Sequence, residues 1–149
     1  MRAERLREEM LPSVAELERL CFAEPWSVRS LGLLLTEEAA GVAICSGSGE
    51  VVAYGGILWA ADEGQILNLA VHPDFRRQGF GAAVLSELLR MAAERGCREV
   101  SLEVRISNRA AIALYERAGF STAGIRRHFY RNPAEDAAVM LFCPEETKS

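Results

Sequence analysis

The chain has 149 residues, of which half are hydrophobic, and a formal net charge of −4. This length suits one hydrophobic core, so we expect a single domain over residues 1–149. The acidic balance argues against a general nucleic-acid binder. A charged N-terminus does not fit a signal peptide, and no apolar run reaches the length of a membrane span. We therefore expect a cytoplasmic protein that binds neither membrane nor nucleic acid directly.

The cysteines and histidines exclude two further classes of protein. Only two histidines are present, and the four cysteines are far apart in the chain: Cys21, Cys45, Cys97 and Cys143. Such spacing predicts neither a zinc site nor a disulfide framework. We expect reduced cysteines and no bound metal.

The N-terminal third predicts two helices. Apolar residues up to Cys21 recur at helical spacing behind Ser13, which has the position of an N-cap with an acidic residue three positions later. Pro25 interrupts this pattern, and Ser27 can cap a second, shorter helix. The first ten residues could form an edge strand or belong to the first helix.

Residues 41–85 predict a hairpin, a third strand and a long helix. The segments 41–45 and 51–59 read as strands joined by a Ser-Gly-Ser-Gly turn. The next strand should end within two residues before Pro73, which has no backbone N–H for a sheet. Helical spacing then resumes, so a helix should open at or just after Gly79.

The opening of that helix predicts an anion site. The first N–H groups of a helix have no partner within it and lie at the positive end of its dipole. Gly79 and Gly81 allow a ligand to approach the backbone, and Arg76 and Arg77 add positive charge. The spacing fits neither a nucleotide P-loop nor a dinucleotide fingerprint. A phosphate or pyrophosphate ligand is expected.

The rest of the chain predicts a strand, a helix and a closing hairpin. Residues 99–105 alternate between apolar side chains and Ser, Glu and Arg. Ser107 or Asn108 can cap a helix that ends at Gly119. Segments 120–130 and 136–142 read as the final strands. The element order predicts an α/β fold with helices on both faces of one sheet.

Residues 76–81 resemble the Arg/Gln-x-x-Gly-x-Gly/Ala pyrophosphate loop of the GNAT superfamily of N-acetyltransferases. The resemblance extends upstream to the Leu-Asn-Leu-Ala-Val-x-Pro block at 67–73. Downstream it includes the block at 108–120, Asn-x-x-Ala-x-x-Leu-Tyr-x-x-x-Gly-Phe. It implies a GNAT fold, a single mixed sheet with a splayed central strand pair and helices on both faces. It also implies acetyl-CoA as co-substrate, bound by Leu69, Ala70, Val71, Arg76, Arg77, Gln78, Gly79, Phe80, Gly81, Ala82 and Asn108.

Further blocks resemble the RimI-type enzymes of this superfamily, which acetylate the N-terminal alanine of a small-subunit ribosomal protein. They include Phe-x-x-Pro-Trp-Ser at 22–27 and Leu-Glu-Val-Arg-x-Ser-Asn at 102–108. In that type the Pro-Trp corner helps to shape the peptide groove. The resemblance implies a ribosomal-protein N-terminus as acceptor. Acetylation of another protein terminus or a small-molecule amine, a non-catalytic acyl-CoA sensor, and a structural partner of another assembly remain alternatives.

Attack of an amine on a thioester needs a base for the amine and a proton for the departing thiolate, but no nucleophilic side chain. Glu103 is the candidate base and Tyr115 the candidate acid. A backbone N–H near Val71 could stabilise the oxyanion. These three residues could instead have purely structural roles: Glu103 as a solvated carboxylate, Tyr115 as a core aromatic and Asn108 as a helix cap alone.

Overall fold

A computed structural model describes residues 1–144. Within these residues one mixed sheet has seven strands, in the order β1-β2-β3-β4-β5-β7-β6. The strands are β1 (Glu4–Arg5), β2 (Ala39–Cys45), β3 (Val51–Ala60), β4 (Glu63–Val71), β5 (Glu99–Arg105), β6 (Ser121–Arg131) and β7 (Ala134–Phe142). The helices are α1 (Leu11–Cys21), α2 (Val28–Leu31), α3 (Phe80–Glu94) and α4 (Arg109–Ala118), with short 3₁₀ turns at Glu8–Met10, Gly32–Leu35 and Pro73–Phe75.

Two apolar clusters lie on opposite faces of the sheet. On one face α3 and α4 bury residues such as Val84, Leu88 and Tyr115. On the other face α1 and α2 bury residues such as Leu17 and Leu31. This arrangement confirms the predicted fold class, in which helices cover both faces of a single sheet.

The central strand-turn-helix segment forms where the sequence predicts it. β4 ends two residues before Pro73, since proline cannot donate to a sheet. Gly79 caps α3 with φ of 81°, a conformation that suits glycine. Among residues 1–144, none of the helices is long and apolar enough to cross a membrane.

The predicted start of α1 is wrong. The helix begins at Leu11 rather than after Ser13, because Pro12 is favoured in a first turn, where the missing N–H costs nothing. The Ser13 hydroxyl instead accepts a hydrogen bond from the Val51 N–H at 2.8 Å. The residues before the helix form the edge strand β1, paired with β2, and then a 3₁₀ turn.

The other predicted caps are confirmed. The Ser27 hydroxyl accepts from the Ser30 N–H at 3.1 Å at the start of α2. The Asn108 side chain accepts from the Ala111 N–H at 3.1 Å at the start of α4. Each bond satisfies one of the orphan donors of a helix N-terminus.

Candidate functional site

The parallel strands β4 and β5 separate in the middle of the sheet. They are paired only from Glu63 opposite Glu99 to Gln65 opposite Ser101. Beyond this point β4 continues to Val71 and β5 to Arg105 without a shared ladder. β4 also carries a bulge, because its pairing with β3 passes from Ile66 to Asn68. The result is a wedge-shaped gap in the sheet.

The backbone of β4 faces this gap beyond the bulge. The His72 N–H donates to the Val52 carbonyl of β3 at 2.7 Å. Because antiparallel hydrogen-bonded pairs alternate, Ala70 also bonds to β3, whereas the N–H groups of Leu69 and Val71 point into the gap. The strand thus presents amide donors there, as an extended ligand or a developing oxyanion requires.

A groove of about 1090 Å³ runs from the gap over the start of α3 to the outer side of α4. All of the predicted cofactor-binding residues line it except Gln78, which is exposed outside its wall. The remaining wall includes Tyr115, the candidate acid, and residues for which the sequence predicts no site role, among them Cys21, Phe22, Phe75, Leu114 and Arg117. Phe22 and Leu114 belong to the motif blocks at 22–27 and 108–120, whereas Cys21, Phe75 and Arg117 carry no such signal and are brought to the groove only by the fold.

The loop that leads into α3, residues 76–82 and called the anion loop below, has the backbone conformation of an anion site. Arg77 and Gly79 both have positive φ, of 64° and 81°, and such alternation turns successive N–H groups toward one side. At Gly81 an added Cβ would lie 3.4 Å from Val71 and 3.5 Å from Leu114. The absence of a side chain at Gly81 therefore leaves room in the groove at the N-terminus of α3, where the helix dipole favours an anion.

Arg76 and Cys21 join the end of α1 to the end of β4. The Arg76 Nε donates to the Val71 carbonyl at 3.1 Å. The same carbonyl lies 3.6 Å from the Cys21 sulfur. Burial raises the pKa of the Cys21 thiol, although the nearby Arg76 acts in the opposite direction. Because the thiolate is the nucleophilic form, Cys21 lines the groove as a neutral side chain and is not a candidate nucleophile.

Tyr115 projects from α4 into the groove. Its ring meets that of Phe120 edge-on, with 5.7 Å between the centroids. Burial raises the pKa of Tyr115 to about 12, with a smaller contribution from Tyr130. The phenol therefore stays protonated at neutral pH and can act as a proton donor.

Glu103 lies outside the groove wall. On β5 it alternates with the buried Leu102 and Val104, so it faces the opposite side of the sheet from α3 and α4. Its side chain is 16% exposed and is held by two donors, Gln65 at 3.1 Å and Arg126 at 3.2 Å. The structure thus places Tyr115 in the groove and Glu103 on the other side of the gap.

Two loops border the gap on the Glu103 side. Arg105 donates to the carbonyls of Pro133 and Asn132, at 2.8 Å and 3.0 Å, and so holds the β6–β7 turn. The Asn132 amide then donates to Glu24 in the segment between α1 and α2, at 2.7 Å. This contact spans 108 positions of sequence. It forms a rim across the open side of the gap.

Comparison with known proteins identifies this arrangement. The model of the acetyltransferase (GNAT) family matches residues 11–120, which include the gap, the anion loop and α4. The chain belongs to the GNAT acetyltransferase family. It is an acetyl-CoA-dependent N-acetyltransferase, as the sequence predicts.

Relatives of this GNAT chain resemble it over most of their length. The ribosomal protein bS18-alanine N-acetyltransferase of Escherichia coli K12 is 38% identical over 132 residues, which are 87% of this chain and 88% of the relative. The enzyme of that name from Salmonella typhimurium is 36% identical over equal shares. The crystal structure of the ribosomal-protein alanine N-acetyltransferase from Escherichia coli superposes with a TM-score of 0.86 at 36% identity, covering 95% of this chain and 92% of that one.

The groove of the GNAT chain fits acetyl-CoA chemically. The anion loop suits a pyrophosphate, and Arg76 and Arg77 add positive charge beside it. The amide donors of Leu69 and Val71 suit the amides of an extended pantetheine arm. The groove then ends at the gap, next to Tyr115. The pyrophosphate, the pantetheine arm and the acetyl end of the co-substrate therefore each have a complementary surface.

Proposed function

We propose that this GNAT chain acetylates the α-amine of an N-terminal alanine, and that its acceptor is a ribosomal protein of the bS18 type. The observation that carries the proposal is the 38% identity over 87% of the chain to an enzyme named for that reaction. At this identity and coverage the similarity extends well beyond the anion loop that GNAT enzymes share.

Acetyl-CoA binding is proposed for the groove. The backbone N–H groups of residues 76–82 would hold the pyrophosphate at the start of α3. The gap-facing amides of Leu69 and Val71 would pair with the pantetheine arm. Asn108, whose side chain caps α4 while it lines the groove, would contact the arm from the opposite wall.

Glu103 is proposed as the base. An α-amine has a pKa of roughly 7.7 to 8, so much of it is protonated at neutral pH and must lose a proton before attack. Glu103 sits on the acceptor side of the gap, held by Gln65 and Arg126. It would accept that proton directly or through one water.

Val71 is proposed to stabilise the oxyanion of the reaction, and Tyr115 to protonate the leaving thiolate. Bound acetyl-CoA supplies the thioester carbonyl that the amine attacks. The Val71 N–H would donate to the carbonyl oxygen as it becomes negative. As the carbon–sulfur bond breaks, Tyr115 would give its proton to the leaving sulfur. Burial raises the pKa of Tyr115, so the phenol still carries this proton at neutral pH.

Mass spectrometry of a matched peptide set tests the acceptor. The purified chain and acetyl-CoA are incubated with the N-terminal peptide of bS18. Parallel reactions use the same peptide with glycine or valine in place of the first alanine, and an α-blocked peptide containing lysine. Acetyl on the alanine terminus alone supports the proposal. Acetyl on lysine, or on all termini equally, contradicts it, and no product on any peptide while acetyl-CoA still binds indicates another amine or a sensor.

A further inference from the structure

Glu18 is the one charged side chain buried among residues 1–144, with an exposed fraction of 0%. It lies on α1, on the face packed against the sheet, among the apolar residues of that helix. A carboxylate in such surroundings is costly unless donors surround it. The reaction steps proposed above give Glu18 no role.

Three donors from three different elements meet this carboxylate. The Trp26 N–H donates to Oε1 at 2.8 Å. The Asn68 amide donates to Oε2 at 2.9 Å, and the Tyr54 hydroxyl donates to the same oxygen. Burial raises the pKa of Tyr54, so its phenol remains a donor. Both oxygens of Glu18 are therefore used.

Two of these donors, Trp26 and Asn68, adjoin segments that line the groove. Asn68 is the first residue of β4 after the bulge and directly precedes the stretch that faces the gap. Trp26 belongs to the corner between α1 and α2, defined here as residues 22–27. This corner lines the groove through Phe22 and carries Glu24, which bonds to Asn132 across the acceptor side.

An apolar side chain at position 18 could pack against the sheet equally well, but it could not satisfy the Trp26 N–H. That N–H precedes α2 and has no helical partner of its own. A buried donor left without an acceptor costs free energy, so the corner would have to move toward water. The carboxylate therefore fixes where the corner lies relative to β4.

We infer that Glu18 is a positioning residue for acceptor binding, holding the corner at residues 22–27 against the gap-facing part of β4. This inference rests on the proposed function, since it takes an amine acceptor to enter between the corner and the β6–β7 turn. It concerns chiefly the KM of the acceptor, because the donors to Glu18 lie in the corner and on the sheet, whereas the pyrophosphate of acetyl-CoA is proposed to bind at the loop before α3.

Steady-state kinetics of four variants test this role. Glu18→Met keeps the length of the side chain and removes both oxygens. We expect it to raise the KM for the alanine peptide about tenfold, the loss of the one buried hydrogen bond of the Trp26 N–H, and to change the Kd of acetyl-CoA much less. Glu18→Gln can still accept from Trp26 through its one oxygen and should restore most of the KM. The other two variants are controls whose acceptor KM should stay close to that of the parent. Tyr54→Phe removes one donor to Glu18 but leaves the Trp26 hydrogen bond in place, and Glu16→Gln alters an exposed carboxylate of the same helix.

Equal KM values for Glu18→Met and Tyr54→Phe would overturn the inference, as would a Glu18→Gln variant as impaired as Glu18→Met. If Glu18→Met does not fold, Glu18→Asp takes its place. The shorter side chain cannot reach Trp26 and β4 together, so it should raise the acceptor KM where Glu18→Gln does not.

A spectroscopic readout separates this inference from the proposed acceptor. The chain has two tryptophans, so Trp59→Phe leaves Trp26 as the only indole. In that background Glu18→Met should shift the Trp26 emission to longer wavelength and increase its quenching by iodide, with Tyr54→Phe close to the parent. An unchanged Trp26 signal would overturn the positioning role whatever the acceptor is. A shifted signal in a chain that acetylates no peptide would support it and reject the proposed function alone.

Discussion

Gln65 and Glu103 meet where β4 and β5 part. Gln65 is the last residue of β4 paired with β5, opposite Ser101, and its amide donates to the carboxylate of Glu103, two residues further along β5, at 3.1 Å. A neutral donor of this kind orients the carboxylate without occupying its second oxygen, which Arg126 contacts from β6. The candidate base is thus fixed by the same divergence of strands that opens the gap.

Replacement of Glu103 by Gln should lower kcat at pH 7 by about 100-fold, the usual contribution of a positioned general base. The deficit should shrink as the pH rises, because the free amine loses its proton near pH 8 without help. Rate profiles between pH 6 and 9.5 measure this. Glu99→Gln on the same strand face is the matched control. A loss of equal size at every pH would contradict the base role.

Tyr115→Phe should lower kcat while the Kd of acetyl-CoA changes by less than about threefold, since the ring and its packing against Phe120 are retained. An acid must be protonated to act, and burial raises the pKa of Tyr115 to about 12. The wild-type rate should therefore show no fall from ionisation of this group below about pH 10. Isothermal titration and a pH profile check both points. Loss of acetyl-CoA binding would make Tyr115 a packing residue.

Gly79 is the N-cap of α3 and Gly96 follows its C-cap residue, Arg95, so the two glycines offer a matched pair. Their φ values are 81° and 82°, and an added Cβ meets nothing within 4 Å at either position. Alanine should cost about 1 kcal/mol of unfolding free energy at each, the strain of a left-handed residue. Only Gly79→Ala should also weaken acetyl-CoA binding, by about tenfold, because its backbone belongs to the anion loop. Denaturant unfolding measures the stability of each variant and ligand titration measures its affinity for acetyl-CoA. Equal affinities of Gly79→Ala and Gly96→Ala for acetyl-CoA would contradict a role of this loop in binding.

Gly55 lets α3 pack closely on β3. A Cβ there would lie 2.9 Å from both Leu88 and Val84 of the helix. Gly55→Ala should therefore destabilise the fold by about 1 to 3 kcal/mol through overpacking. Gly32 has a helical φ of −57° and open space around it, so Gly32→Ala should be neutral or slightly stabilising. Thermal unfolding of the two variants compares them directly, and a neutral Gly55→Ala would show that α3 can move away from the sheet.

Much of the fold was predictable because its signals are local. The strand before Pro73, the caps Ser27 and Asn108 and the glycine opening of α3 each depend on a few neighbouring residues, and the structure confirms them. Ser13 shows the limit of this reasoning. Serine is a favoured N-cap residue, but here the helix starts upstream, with Pro12 in its first turn. The Ser13 hydroxyl accepts a hydrogen bond from the Val51 N–H of β3 instead.

The family, the fold class and the glycine-containing loop at 76–82 could be predicted from the sequence, since each follows from contiguous residues whose backbone preferences agree. Which side chains stand on each side of the gap depends on contacts between distant segments and is visible only in the folded chain. Glu18 reads as one more charge on an amphipathic helix, and its burial follows only from the way that α1 lies on β3 and β4. The rim contact of Glu24 with Asn132 likewise exists only because the sheet brings together two loops that are distant in the chain.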